Sequence, residues 1–374
     1  MDTSSAQIVC KSNKSSEKFE VNEVFLHISE QIKEEIGGKT LEDTVNYIIS
    51  KLNSDDLTAK RLPCLKYSIG MINRFIDSGK SEKLISIAEH LQEKAIEVYA
   101  DMIVKRGNVK VVLIAGPSSS GKTTFSKKLG QALEVHGKDP KAISLDDYFV
   151  SRDRTPKDEN GEYDYESIYA EDIDLFQTQL AQLLAGEEVE LPRYDFPTGM
   201  SVMSGNHLRL KEDTVLVIEG IHGLNPLLTG SIPEENIFRI YISALTVCKQ
   251  PDGSYYPTTD NRLVRRIVRD SKYRNATALA TIARWPSVRR GEEKWIVPFQ
   301  ENADVNFNSA FQYELALLKV HALPLLYNVK EDEPEYAEAQ RLITVLEDFD
   351  EMDIDLLPPY SLLREFLGGS KFEY

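Results

Sequence analysis

The residue pattern with the clearest chemistry is the run from Gly116 to Thr123, which reads Gly-Pro-Ser-Ser-Ser-Gly-Lys-Thr. Glycine at both ends permits backbone conformations and close approaches that a side chain would obstruct, so successive N–H groups can point at phosphate oxygens. The Lys122 ammonium can reach the β- and γ-phosphates of a nucleotide, and the Thr123 hydroxyl can ligate Mg²⁺. We therefore predict an ATP-binding loop composed of the following residues: Gly116, Ser118, Ser119, Ser120, Gly121, Lys122, Thr123 and Thr124.

The sequence on either side of this loop supports the same interpretation. Five apolar residues, Val111–Ala115, precede it and predict a buried parallel strand. A helical pattern follows through about Val135, and the positive end of that helix would point at the bound anion. The alternative is a Ser- and Gly-rich turn between a strand and a helix, which leaves Lys122 unexplained.

Acidic residues follow two other apolar segments. Asp146 and Asp147 come directly after the predicted strand Ala142–Leu145, and Glu219 follows Val215–Ile218. The carboxyl ends of parallel strands share one edge of the sheet, so these acids are expected beside the phosphate loop. Phosphoryl transfer needs a base for the attacking hydroxyl and an oxygen ligand for Mg²⁺. An acid after a strand is otherwise a common loop residue or helix cap.

A third pattern consists of arginines. From residue 262 to 290 there are eight of them, and four occupy one helix face at spacing i, i+3, i+4 and i+7: Arg262, Arg265, Arg266 and Arg269. Like charges at this spacing repel, so the face requires an anion or an acidic surface. A lid that closes over nucleotide phosphates would supply the anion. The alternative is a salt-bridged structural helix.

The elements that position these residues are predicted from the alternation of strand and helix patterns after Lys110. This alternation indicates an α/β fold with a doubly wound parallel sheet covered on both faces. The candidate strands are Val111–Ala115, Ala142–Leu145, Thr214–Ile218, Ile237–Ile242 and Leu323–Val329.

The N-terminal hundred residues show helical patterns. Thr40 and Asp43 resemble a helix N-terminus, and apolar residues follow at helical spacing through Leu52. A second, longer apolar stripe runs from Leu84 to Met102. We expect both stripes to pack in a core rather than to form a site.

These patterns predict four regions. Residues 1–18 are Ser- and Lys-rich and are expected to be a disordered tail. Residues 19–107 form an N-terminal helical region, and residues 108–335 form the catalytic domain, with a lid at about 258–300. Residues 336–374 are expected to be a C-terminal helical segment packed on that domain.

Composition excludes several classes of protein. The net charge of −16 argues against a nucleic-acid binder. No apolar run approaches the roughly 20 residues of a membrane span, and the N-terminus lacks the apolar region of a secretory signal, so we predict a cytoplasmic protein without a membrane partner. The three cysteines, Cys10, Cys64 and Cys248, are too widely spaced to suggest a zinc site or a disulfide framework.

Taken together and in order, these residues resemble the uridine kinase and phosphoribulokinase family of P-loop kinases, over about residues 108 to 330. The resemblance implies a P-loop NTPase-type sheet with an Arg-rich helical lid. The matching stretches are GPSSSGKTT, Ser144-Leu145-Asp146-Asp147-Tyr148-Phe149, Tyr163-Asp164-Tyr165, Tyr194-Asp195-Phe196, Glu219-Gly220, and the segment Asp260 to Asp270.

The resemblance also implies roles for individual residues. Asp146 matches the base that accepts the proton of a ribose 5′-hydroxyl, and Asp164 matches the residue that holds the ribose hydroxyls. Tyr194 matches a tyrosine near the nucleobase, and Glu219 matches the acid that helps to hold Mg²⁺ together with Thr123 and Asp146. Three arginines match the nucleotide and lid region: Arg262, placed toward the substrate, and Arg265 and Arg269, placed toward ATP.

The implied activity is ATP- and Mg²⁺-dependent phosphorylation of a ribonucleoside, with Lys122 and Asp146 as catalytic residues. Pyrimidine nucleoside kinases carry a base-reading histidine after Tyr-Asp-Phe, where this chain has Pro197-Thr198-Gly199, so the base stays open. The alternatives are a phosphoribulokinase-like or other small-alcohol kinase and a non-catalytic nucleotide-binding switch. A homo-oligomer is also open at this point.

Overall fold

The computed structural model describes residues 65–159, 161–230, 232–250, 253, 255–257 and 259–373. The predicted disordered tail, 1–18, and the predicted helix near Thr40 lie outside these residues. The longer stripe from Leu84 to Met102 is inside them, and the prediction of a helix there is confirmed.

Ten helices and nine strands are found within the described ranges. The helices are α1 Ile69–Asp77, α2 Ser81–Arg106, α3 Lys122–Val135, α4 Ile173–Leu184, α5 Pro226–Thr229, α6 Asp260–Tyr273, α7 Ala278–Trp295, α8 Glu314–Leu326, α9 Tyr336–Glu347 and α10 Arg364–Leu367. The strands are β1 Leu65–Ser68, β2 Val111–Ala115, β3 Asp139–Ser144, β4 Glu188–Asp195, β5 Met200–Arg209, β6 Thr214–Glu219, β7 Ile237–Ser243, β8 Thr246–Lys249 and β9 Val305–Asn308.

The chain divides into two compact units. The first, here called the sheet unit, comprises residues 96–243 and 284–306, and the second, the helical unit, comprises the described residues of 65–95, 244–283 and 307–373. Within the helical unit, α8 packs on both α6 and α9, and β1 pairs in parallel with β8.

The central sheet has five strands in the order β3-β6-β2-β7-β9. β2 pairs in parallel with β6 and with β7, and β3 pairs in parallel with β6. Every residue of β2 is buried, as expected for the middle strand of a sheet that is covered on both faces. The predicted α/β class is therefore confirmed, and four of the five candidate strands are present with ends shifted by at most three residues.

The strand register brings the carboxyl ends of β2, β3 and β6 together at one edge of the sheet. Glu219, the last residue of β6, lies opposite Ile114 of β2 on one side and Ser144 of β3 on the other. The loop after β2 and the segment after β3 therefore both leave the sheet beside Glu219.

The prediction of a strand at Leu323–Val329 is wrong, because Leu323 to Leu326 form the last turn of α8 and the next residues form turns. Leu315, Leu317 and Leu318 of this helix are all buried. Apolar residues are spread around this helix rather than confined to one stripe, so its apolar end resembles a buried strand in the sequence. The fifth strand is instead β9, whose four residues are too short a pattern to stand out.

Candidate active site

The loop between β2 and α3 has a backbone that requires its glycines. A Cβ atom on Gly116 would lie 2.0 Å from the carbonyl oxygen of Ile242, so no side chain fits there. Gly121 has φ +85° and Ser119 has φ +61°, both in the left-handed region. Such turns make successive N–H groups converge into a concave, anion-binding surface.

Helix α3 begins directly at the end of this loop. Its N-cap residue is Gly121, which has no side chain to bond the amides of the first turn. The Lys122 ammonium donates to the carbonyl oxygen of Pro117 at 3.4 Å, across the loop. Backbone amides, the helix dipole and a lysine thus surround one small concavity, which fits the phosphates of a nucleotide.

Glu219, the last residue of β6, accepts hydrogen bonds from two hydroxyl groups. The Thr123 hydroxyl donates to Glu219 Oε1 at 3.2 Å, and the Ser144 hydroxyl donates to the same oxygen at 3.3 Å. A hydroxyl and a carboxylate at the mouth of a phosphate loop are the oxygen donors that Mg²⁺ prefers, together with phosphate oxygens. Among the described residues no three His, Cys, Asp or Glu side chains gather as a metal cluster, so an ion here would depend on the phosphates as well.

Asp146 lies on a single 3₁₀ turn, Leu145–Tyr148, that follows β3. The turn is anchored because Leu145 and Tyr148 are buried, and the Asp146 N–H donates to the Ser144 hydroxyl at 3.3 Å. A Cβ on Gly220 would lie 2.5 Å from the Cβ of Leu145, so the absence of a side chain there lets the turn seat against the end of β6. Ser144 thus bonds both Glu219 and the turn that carries Asp146.

Tyr194 belongs to a hairpin of the sheet unit formed by β4 and β5. Its ring is 6% exposed and meets Phe149 at 5.5 Å and Phe196 at 5.1 Å between centroids. The Tyr194 N–H donates to Asp147 Oδ1 at 3.4 Å, so the hairpin is tied to the Asp146 turn. Burial raises the pKa of Asp147, and the neighbouring Asp146 charge raises it further.

Asp164 lies in an irregular segment between the Asp146 turn and α4. Its Oδ1 accepts from the Glu166 N–H at 3.2 Å, and burial raises its pKa while the Lys294 charge opposes the rise. The final part of α7 belongs to the sheet unit and meets this segment, since the Arg284 guanidinium lies 5.6 Å from the Tyr165 ring centre.

Comparison with known proteins adds an independent observation. Residues 111–316, more than half of the chain, match the model of the Phosphoribulokinase / Uridine kinase family. The chain belongs to this family. As a P-loop kinase of the family, it is a phosphotransferase of the kind that uses ATP and Mg²⁺ and acts on a small molecule.

Individual relatives of this kinase are distant. The uridine kinase of Ureaplasma urealyticum is 26% identical over 52% of this chain and 86% of its own length. The uridine kinase of Staphylococcus aureus is 28% identical over 52% of this chain and 85% of its own length. Among solved structures, a D-glycerate 3-kinase from Cryptococcus neoformans is 13% identical, with a TM-score of 0.32, over 74% of this chain and 90% of that one.

The arginine face of the kinase is engaged within the helical unit. Arg265 is fully buried and donates to both carboxylate oxygens of Glu314, at 3.2 and 2.6 Å, and to the carbonyl oxygen of Ser309 at 2.7 Å. Arg269 donates to Asp270 at 2.8 and 2.9 Å. Both arginines thus form ion pairs within the protein, as in the salt-bridged helix that the sequence offered as the alternative to a lid. A contact of Arg262, Arg265 or Arg269 with a nucleotide or acceptor stays a prediction.

Both tryptophans of the kinase are in α7. The Trp295 ring meets Tyr169 at 5.8 Å between centroids, in an edge-on arrangement, and Trp285 is 9% exposed. A Cβ on Gly291 would lie 2.3 Å from the Cβ of Glu166, so α7 approaches the Asp164 segment closely at that point. For Trp295 the structure therefore shows side-chain packing within the sheet unit.

Two charged residues beside the candidate site were not found from the sequence. Glu171 is 3% exposed, and neither of its carboxylate oxygens accepts a hydrogen bond from the described residues. Burial, followed by the Asp146 charge, raises its pKa well above the usual value. Arg152 lies beside Tyr194, six residues after Asp146. Both lie in short segments between the main strands and helices, where no periodicity or motif marks them.

No helix among the described residues has the length and apolar composition needed to cross a membrane.

Proposed function

We propose that this kinase transfers the γ-phosphoryl group of ATP to the 5′-hydroxyl of a ribonucleoside. The observation that carries the proposal is the seating of the Asp146 turn beside Glu219, with Ser144 bonded to both. This arrangement supports a base for the acceptor next to the residues that would hold the donor phosphates. Family membership supports the reaction class.

On the donor side, the loop amides and Lys122 would bind and orient the phosphates. Thr123 and Glu219 would hold Mg²⁺, directly or through water, and the ion would supply charge neutralisation on the phosphate oxygens. Phosphoryl transfer needs positioning and electrostatic stabilisation more than covalent assistance, and this set of residues provides both.

On the acceptor side, Asp146 would accept the proton of the attacking hydroxyl as the new P–O bond forms. Asp164, on the neighbouring segment, would hold the ribose hydroxyls by hydrogen bonds. The rings of Phe149, Tyr194 and Phe196 would supply an apolar wall for the nucleobase. This aromatic cluster favours a nucleoside over a small acceptor that lacks a ring.

A second candidate is a small alcohol that carries an anionic group, as in a phosphoribulokinase-like reaction. Such an acceptor requires an arginine for its anionic group, and Arg152, beside Tyr194, would bind that group at the end remote from Asp146. A nucleotide-binding switch without catalysis is disfavoured by the presence of Lys122, Thr123, Asp146 and Glu219 together.

The test is an acceptor screen with the full chain, ATP and Mg²⁺. The panel contains the common ribonucleosides, their 2′-deoxy forms, ribulose 5-phosphate and glycerate, and product is detected as the phosphorylated acceptor rather than as ADP alone. We expect transfer to at least one ribonucleoside. Transfer only to ribulose 5-phosphate or glycerate would replace the nucleoside proposal with the small-alcohol candidate, and ATP binding without transfer to any acceptor would favour a switch.

A further inference from the structure

The Arg152 side chain is held against the turn between β4 and β5. Its backbone N–H donates to the carbonyl oxygen of Gly199 at 2.8 Å, and its guanidinium Nη2 donates to the carbonyl oxygen of Phe196 at 2.9 Å. The adjacent Ser151 hydroxyl accepts from the Ser201 N–H at 3.2 Å. Three hydrogen bonds therefore fix the position of Arg152 relative to the hairpin.

Gly199 makes the space that the guanidinium occupies. It has φ +73°, and a Cβ atom built on it would lie 2.7 Å from both Cζ and Nε of Arg152. Any other residue at position 199 would adopt a strained backbone and displace the arginine. The glycine and the arginine thus form one local arrangement.

The guanidinium also adjoins the residues proposed to bind the acceptor. Its Nη2 donates to the carbonyl oxygen of Phe196, whose ring meets Tyr194 at 5.1 Å between centroids. The Arg152 charge and a hydrogen bond from its side chain both oppose the rise that burial causes in the pKa of Tyr194. Tyr194 is tied in turn to Asp147, the residue after the proposed base. Arg152 therefore lies at the aromatic end of the acceptor region.

The guanidinium of Arg152 bonds the Phe196 carbonyl oxygen and Tyr194, and it has no carboxylate partner among the described residues. Its Nε atom is buried against Gly199 and has no hydrogen-bond partner among the described residues. A planar guanidinium carries five N–H donors, so nitrogens of Arg152 other than Nε can still bond an oxygen of a ligand. In a chain with a net charge of −16, an arginine without a carboxylate partner beside an acceptor site is more consistent with ligand binding than with surface charge.

We infer that Arg152, seated on Gly199, binds a hydrogen-bond-accepting oxygen of the phosphoryl acceptor at the end remote from the reacting hydroxyl. The inference rests on the proposed kinase activity and names the group that the acceptor presents. In a nucleoside this oxygen is a carbonyl of the base, and in a small alcohol it is a phosphate or carboxylate oxygen. Arg152 would determine specificity and would not take part in the chemical step.

The first experiment measures KM and kcat for the best acceptor of the wild-type kinase in Arg152→Lys and Arg152→Gln. Loss of one charge-assisted hydrogen bond should raise the acceptor KM by about 10- to 100-fold, with the KM for ATP changed by less than about twofold. Lysine keeps the charge without the planar fork, so it should recover part of the loss for a phosphate or carboxylate and little for a base carbonyl. An analogue without the relevant oxygen should bind the wild type and the Gln variant equally.

The second experiment tests the same contact from the glycine side. Gly199→Ala should raise the acceptor KM as the Arg152 variants do. Its matched control is Gly205→Ala on the same hairpin, where φ is +76° but nothing lies within 4 Å of the new Cβ. Both alanines carry the strain of a positive φ, so only the displacement of Arg152 differs between them.

The outcomes separate the inference from the proposed function. If the wild type phosphorylates no acceptor, the proposed function fails before Arg152 is tested. If the wild type is active, equal effects of Arg152→Gln on the KM for ATP and for acceptor, or a lower melting temperature with unchanged kinetics, would show a structural clamp and overturn the inference. Equal acceptor KM values in Gly199→Ala and Gly205→Ala would also overturn it.

Discussion

Asp146 and Glu219 are acids at neighbouring strand ends, yet they have different partners. Glu219 accepts hydrogen bonds from two hydroxyls, whereas Asp146 is positioned through its backbone N–H. The Glu219 carboxylate is fixed in place by these hydroxyls, which suits the binding of a cation. The Asp146 carboxylate is positioned only through the backbone, so it can accept a hydrogen bond from the hydroxyl of the acceptor.

Asp146→Asn is expected to lower kcat by about 10²- to 10⁴-fold, the contribution typical of a general base. ATP affinity should change little, because the loop and Lys122 are untouched. Steady-state kinetics and calorimetric titration with ATP measure the two effects separately. Asp213→Asn, at an exposed acid in the turn before β6, is the control. Turnover of Asp146→Asn within about threefold of the wild type would remove Asp146 from the base role.

Glu171→Gln tests the buried carboxyl beside Asp146. The pKa of Glu171 is raised in the folded protein, so its contribution to stability is present below the unfolded value and is lost as pH rises through the folded value. Glutamine keeps the shape without the buried charge. We expect the variant to melt about 2–4 °C above the wild type at pH 8, with the difference vanishing near pH 4. An equal difference at both pH values would mean that the effect is not due to the charge.

Two short elements place the site, the phosphate loop and the 3₁₀ turn of Asp146, and each depends on a glycine. Gly116 allows the loop to pass the carbonyl oxygen of Ile242, and Gly220 allows the turn to pack against the end of β6. Gly116 belongs to the Gly116–Thr123 motif, which is recognisable from the sequence. The need for glycine at position 220 becomes apparent only from the structure, where Leu145 packs against it.

Gly220→Ala is expected to shift the Asp146 turn, since the new Cβ would lie 2.5 Å from that of Leu145. A displacement of the base by a fraction of an ångström should lower kcat by about 10- to 100-fold, and overpacking should cost roughly 1–3 kcal/mol of stability. Gly130→Ala is the control, because its Cβ would meet Pro140 at an ordinary 3.7 Å and helix α3 gains from alanine. Unchanged turnover in Gly220→Ala would contradict the seating argument.

The elements and residues that could be predicted from the sequence are those marked by a local pattern. Val111–Ala115 and the Gly-Lys-Thr loop are local signals, so the strand, the loop and helix α3 were predicted correctly. Leu323–Val329 was misassigned because an apolar helix end and a buried strand both read as continuous apolar runs. Arg152 and Glu171 owe their importance to residues distant in the chain, Gly199 and Asp146, and no local pattern carries that information.

For the whole molecule, the arginine contacts predict which segments respond to a bound nucleotide. Arg265 is bonded to Glu314 and Ser309, so helix α6 is stabilised without an added anion. We expect a non-hydrolysable ATP analogue with Mg²⁺ to slow amide hydrogen exchange in Gly116–Thr123 and Leu145–Tyr148, by mass action on local opening. Exchange in α6 should stay within about twofold of its rate without nucleotide.

Mass spectrometry of peptic fragments resolves these segments, and the analogue without Mg²⁺ is the matched control. Strong protection of α6 would contradict this expectation and favour the lid interpretation of the arginine face. Absence of protection at the loop would contradict nucleotide binding there.

The bond between Thr123 and Glu219 has a consequence for how a cation would be received. A hydroxyl that donates its proton to a carboxylate still has lone pairs, so Thr123 can hold this orientation and ligate an ion at once. The rotamer freedom of the threonine is therefore lost on folding and does not have to be lost again on binding. Folding alone therefore places the Thr123 hydroxyl in the orientation that binds the ion. The affinity for the ion should depend on Glu219 even if Glu219 does not contact the ion.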